Sequence, residues 1–202
     1  LNGIASHAVK PHLGQDVMVV AAQLIMALQT VVSRNVDPLA SAVVSITQVH
    51  SGQTWNALPD QAILRGTYRC FSESVGNLIE QRIRQLTETI SAAFNVEGKV
   101  VFNPENPGYP VTENSPKEAE LAVQVASAVV GAHRVDLNPL PSMGSEDFAF
   151  MLRQKPGCFV WIGNGNGPGC GQLHNPHYDF NDEILPIGAA YWVKLVETLL
   201  GK

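Results

Sequence analysis

The sequence predicts an α+β domain followed by part of an α/β domain. Three observations carry that expectation. Residues 1–106 alternate strand-like and helix-like patterns in the order β-α-β-β-α-β, the split βαβ pattern of a four-stranded antiparallel sheet with two helices on one face. PENPGYPVTENSP, at 104–116, then interrupts the pattern with Pro, Gly and Asn. Beyond it, helical stripes continue with few strand-like runs, which fits a parallel-sheet domain that lacks some of its strands.

The elements follow in order. LNGIASHAV, at 1–9, reads as the middle of a strand and its loop, and the chain is expected to be cut from a longer protein. Residues 16–34 place Val17, Val20, Ala21, Leu24, Leu28, Val31 and Val32 on one helical face, with Asp16 as the N-terminal cap. AVVSITQVH, at 42–50, alternates Val44 and Ile46 with polar Ser45 and Thr47, the mark of a half-buried strand. After the turn residues of SGQTWNALPD, QAILRGTYRC alternates again through Ile63, Arg65, Thr67 and Arg69. A second helix over 73–94 aligns Ile79, Ile83, Leu86, Ile90 and Phe94, and GKVVFNP closes the sheet. In the second domain a helix at 116–131 carries Ala119, Ala122, Val125, Ala126 and Val129. CFVWIGN, at 158–164, reads as a strand buried on both faces. A last helix at 186–200 carries Ala189, Val193, Val196 and Leu200. The expected domains are 1–108 and 109–202.

Composition narrows the function. With 202 residues, 45% hydrophobic and a net charge of −5, the chain is not built to grip nucleic acid or an anionic membrane. No apolar stretch is expected to reach the ~18 residues that span a bilayer. Three widely spaced cysteines, Cys70, Cys158 and Cys170, make no disulfide framework, so a reducing cytoplasm is the expected compartment.

Three stretches carry chemistry. LHNPHYDFND, at 173–182, crowds two imidazoles and two carboxylates into a loop. Cys170, His174 and His177 form a C-x3-H-x2-H set, but no second pair of ligands accompanies it, so spacing alone fits a polar turn better than a closed zinc site. PSMGSEDFAF, at 141–150, can open a helix with Ser145 as cap, whose free N–H groups would attract a substrate carboxylate; an ordinary capped helix explains the same residues. His7 and His12 flank Pro11 in SHAVKPH, and Asn56 lies in a turn, positions where such residues are common without catalysis.

Taken together, GIASHAVKPH, HSGQTWNALPDQAILRGTYR, MGSEDF and LHNPHYDFNDE, in this order and over nearly the whole chain, resemble the M20 metallopeptidases. The likeness is to the amidohydrolase branch that includes hippurate hydrolase, N-acyl-amino-acid amidohydrolases and auxin-conjugate hydrolases. The resemblance implies a lid domain, here 1–108, inserted into an α/β catalytic domain, of which 109–202 would be the last part. It implies an N-acyl amino acid substrate, a homodimer through the lid, and two divalent ions per complete active site (Zn²⁺, Mn²⁺, Co²⁺ or Ni²⁺). His174 matches the family's last metal ligand, and His177 matches none. Asp179 and Asp182 match carboxylates that orient the loop. His7 matches the lid histidine that steadies the oxyanion. Asn56 and, more weakly, Arg69 match groups that bind the substrate, and Glu146 lies in the motif beside the metals. The family's upstream metal motif and its Glu-Glu pair have no counterpart in this sequence. The chain is therefore expected to be a C-terminal fragment, inactive by itself. The alternative is a lid module that dimerises without catalysis.

Overall fold

The computed structural model describes residues 1–102, 108–167 and 173–201. The chain forms two compact units, Leu1–Val111 and Thr112–Lys202.

In the first unit, helix α1 spans Val17–Asn35. It begins where it does because the Asp16 carboxylate accepts from the Met18 and Val19 amides at 2.8 and 3.3 Å, pairing donors that a first helical turn leaves free. Val17, Val20, Ala21, Leu24, Leu28 and Val31 are buried, the face the apolar spacing predicts. Strand β2, Ala42–Ser51, runs antiparallel to β4, Ala62–Cys70, from Ala42 opposite Cys70 to Ser51 opposite Ala62, with a bulge between Ile46 and Gln48. Gly66 faces Ile46, and a Cβ there would collide with the Ser45 carbonyl oxygen. Val44, Ile46, Leu64 and Tyr68 turn inward, while Arg65, Thr67 and Arg69 stay exposed. Helix α2, Glu73–Ala93, starts at Ser72, whose hydroxyl accepts from the Val75 amide. Its fully buried Ile79 joins Leu24, Leu28, Val31 and Val36 in one core cluster, and each such side chain contributes about 1.5–3 kcal/mol.

Two expectations change here. The four-stranded sheet is not formed as one ladder. Instead β2 pairs with β4, and the short β1, Ser6–His7, pairs with β3, Ala57–Leu58. Leu1 and Ala62 are joined by a backbone bond, and Asn2 exchanges two with Glu97 at 2.9 Å each. The closing strand expected in GKVVFNP is absent from its described part, because side chains hold that segment instead. Arg84 donates to the Val100 carbonyl and lies 4.6 Å over the Phe102 ring, which meets Tyr68 edge-on. The second change concerns α1. Its 19 residues are long and apolar enough, by length and composition, to cross a membrane, contrary to the expectation that no stretch is. Uncharged Gln23, Gln29, Thr30 and Ser33 hide this from a search for unbroken apolar runs, and the buried face packs on the β2–β4 sheet and α2.

In the second unit, α3 spans Pro116–Val130 and ends at Gly131, whose φ of 85° suits glycine. It buries Ala122 and Val125 and packs against α5, Leu185–Leu200. On α5 the stripe Ala189, Val193, Val196 and Leu200 is exposed, and Tyr191 is the buried residue. The helix is apolar on several faces, so periodicity could not choose between them. Residues 158–164 form no strand. The Asn114 side chain takes the place of a neighbouring strand, accepting from the Phe159 amide at 2.7 Å and donating to its carbonyl at 3.0 Å. Helix α4, Phe148–Gln154, has Asp147 rather than the expected Ser145 in its cap position, and Glu146 Oε1 accepts from the Phe148 amide at 3.3 Å.

Candidate active site

His7 and Asn56 are brought together by the β1–β3 pair. His7 is opposite Ala57, and the Ala8 amide donates to the Asn56 carbonyl at 3.0 Å. Both side chains are exposed. The Val9 amide donates to His7 Nδ1 at 3.2 Å, so the neutral ring carries its proton on Nε2. The Thr54 hydroxyl donates to Asn56 Oδ1 at 2.8 Å. Arg69 lies near the far end of β4, opposite Val43. Its guanidinium bonds Thr67 Oγ1 at 2.5 Å and the Tyr68 carbonyl at 2.8 Å, not His7 or Asn56.

In the second unit, one oxygen of Glu146 is engaged at the start of α4. The chain's own carboxylate therefore occupies one of the N–H groups expected to be free for a substrate. His174 is exposed and holds a φ of 67°, unusual for a residue with a side chain. The bonds that shape its loop come from asparagines, which motif reading passed over. Asn175 Oδ1 accepts from the His177 amide, Asn164 donates to the Asp179 carbonyl and accepts from the Asn181 amide, and Asn181 accepts from the Glu183 amide. The signal was the turn preference of asparagine. Cys170, the thiol of the candidate C-x3-H-x2-H set, lies outside the described residues. Burial, then Glu118, raises the Cys158 thiol above its ordinary pKa, which disfavours a thiolate ligand or nucleophile.

Among the described residues no group of three His, Cys, Asp or Glu side chains could hold a metal ion. A structural zinc site wants four donors and a catalytic one at least three, so the described donors do not fit the two divalent ions that the sequence resemblance implies.

The two strand pairs and five α-helices of the described residues make a chain of mixed α and β structure. Residues 4–198 match peptidase family M20/M25/M40, and the chain belongs to that family. It is 37% identical to an N-acetyl-L-cysteine deacetylase of Bacillus subtilis, over 96% of this chain and 44% of that protein. It is 35% identical to a hippurate hydrolase of Campylobacter jejuni, over 96% of this chain and 49% of that protein. Among solved structures, the Bacillus subtilis YXEP protein, described as a dinuclear metal binding peptidase from the M20 family, superposes with a TM-score of 0.73 at 28% identity, covering 98% of this chain and 49% of that one. The chain thus spans about half the length of the relatives it matches.

Proposed function

We propose that this chain forms the lid and the last part of the catalytic domain of an amidohydrolase that cleaves the amide bond of N-acyl amino acids. The observation that carries the reading is the His7–Asn56 clip, two polar residues held by one backbone hydrogen bond between their segments, in a family that includes deacetylases and a hippurate hydrolase. In this reading Asn56 binds the substrate's carbonyl or carboxylate, and Arg69, at the far end of β4, does not join it. His7 donates from Nε2 to the oxyanion as the carbonyl carbon becomes tetrahedral. Divalent ions would activate the attacking water in the whole enzyme. His174 offers them one imidazole, and the other donors must come from beyond the described set. The proposed homodimer forms through the lid: the β2 edge not paired with β4 and the exposed Met18, Val19 and Met26 of α1 offer the surface.

A second reading, a lid module that dimerises without catalysis, is favoured by the lack of a metal-donor cluster among the described residues. One experiment separates them. The purified chain is incubated with Mn²⁺ or Zn²⁺, assayed on hippurate and other N-acyl amino acids, and analysed for bound metal beside His174→Ala. Little metal and no turnover are expected of the chain alone, with turnover appearing when the half of the relatives' length that it does not span is restored. Turnover by the chain alone that vanishes in His174→Ala would overturn the account of missing donors. No turnover by the restored protein would leave the dimerising module.

A further inference from the structure

We infer that Thr54 is a positioning residue that presets Asn56 as a hydrogen-bond donor in the segment joined to that of His7; the inference rests on the proposed substrate site and deepens it. An asparagine amide presents an oxygen and an NH₂ on opposite sides, and free in solvent it offers either one. Here the Thr54 hydroxyl donates to Asn56 Oδ1 at 2.8 Å. The oxygen is thereby engaged, and the Nδ2 group, with its two donors, is left for a ligand. His7 is set in the same sense. Its Nδ1 accepts from the Val9 amide, so its open nitrogen, Nε2, is also a donor. The backbone bond from Ala8 to Asn56 holds the two segments in register. Two local bonds thus set each of these ambivalent side chains as a donor, with no described acidic group bonded to either. Such a pair matches an oxygen-rich ligand, a carboxylate or a developing oxyanion, and not a cation. In the sequence Thr54 carries no motif signal, because threonine is common in turns.

The test uses the full chain labelled with ¹⁵N and hippurate as the probe. Relaxation of the Asn56 side-chain NH₂ and the ¹⁵N shifts of the His7 ring are recorded for the parent, Thr54→Val, Thr54→Ser and Asn56→Ala, with backbone amide spectra showing that each variant is folded. In the parent, the His7 proton is expected on Nε2 and the Asn56 amide is expected to be ordered. Thr54→Val should free the Asn56 amide and weaken hippurate binding roughly twofold to tenfold, the range for one hydrogen bond. Thr54→Ser, which keeps the hydroxyl, should restore both. If Asn56→Ala weakens binding while Thr54→Val changes neither amide order nor affinity, the positioning role is overturned and the substrate site stands. If Asn56→Ala binds hippurate as the parent does, the substrate reading fails. The Asn56 relaxation in Thr54→Val then decides the positioning role alone: freed, it holds; unchanged, it falls.

Discussion

Helices α1 and α5 are similar in length and both rich in apolar residues, yet they treat those residues differently. α1 buries six side chains, and α5 buries only Tyr191. Leu185, Trp192, Val193, Val196, Leu199 and Leu200 of α5 remain exposed. The contrast extends to the whole units. Among the described residues, ten of the buried apolar side chains lie in the first unit and four in the second. A helix buries its apolar face only where other elements bring a complementary surface. α1 meets the β2–β4 sheet and α2, whereas α5 meets mainly α3. Exposed apolar area of the kind α5 presents marks a surface for interaction. Apolar composition therefore reports a demand for burial, and topology decides whether it is met.

The largest effect would come from separating the units. Residues 1–111 expressed alone should unfold cooperatively, while 112–202 alone should bind a hydrophobic dye and melt broadly. A sharp melt of 112–202 without dye binding would break the comparison. Next in size is the core itself. Ile79→Ala should lower stability to urea by about 2–5 kcal/mol, the cost of a cavity among packed side chains. Trp192→Ser, on the exposed face of α5, should stay within about 0.5 kcal/mol. Asp16→Ala should cost about 1 kcal/mol by leaving the first amides of α1 unpaired, seen as an earlier loss of helical circular dichroism in urea. The smallest effect sharpens the picture of the first unit through pH. Burial, then the hydrogen bond to Glu80 at 2.6 Å, holds the Tyr68 phenol above its ordinary pKa of 10.0. The folded state therefore favours the neutral phenol. Its contribution is fully present below pH 10 and is lost as pH rises through the folded value. The stability difference between the parent and Tyr68→Phe should shrink on going above pH 10 in urea titrations.

The sequence made the first unit more legible than the second, for reasons seen in particular residues. Asp16 and the face of α1 were readable because a cap and a periodic stripe are local signals that the fold then uses. The segments at 98–104 and 158–164 look like strands because they are apolar and β-branched. A strand, though, needs a neighbour, and in both places side chains, those of Arg84 and Asn114, take the backbone's carbonyl or amide instead. On α5 two apolar stripes compete, and nothing local says which one finds a partner. In the candidate site, His7 and Asn56 were readable from motif order, and the strand pair that joins them was not, because β1 and β3 are two residues each. Thr54, Asn164, Asn175 and Asn181 went unread since their work consists of hydrogen bonds to neighbours, which leave no periodic trace.

The backbone of His174 carries a consequence for protein engineering. A side chain at a φ of 67° costs roughly 1–2 kcal/mol, and glycine or asparagine relieves most of it. Selection of variant libraries for heat resistance alone should therefore drift toward glycine or asparagine at position 174. Under the proposed reading, selection of the restored, longer protein for activity should hold histidine there. The two outcomes would separate what that position does for the fold from what its imidazole does for chemistry.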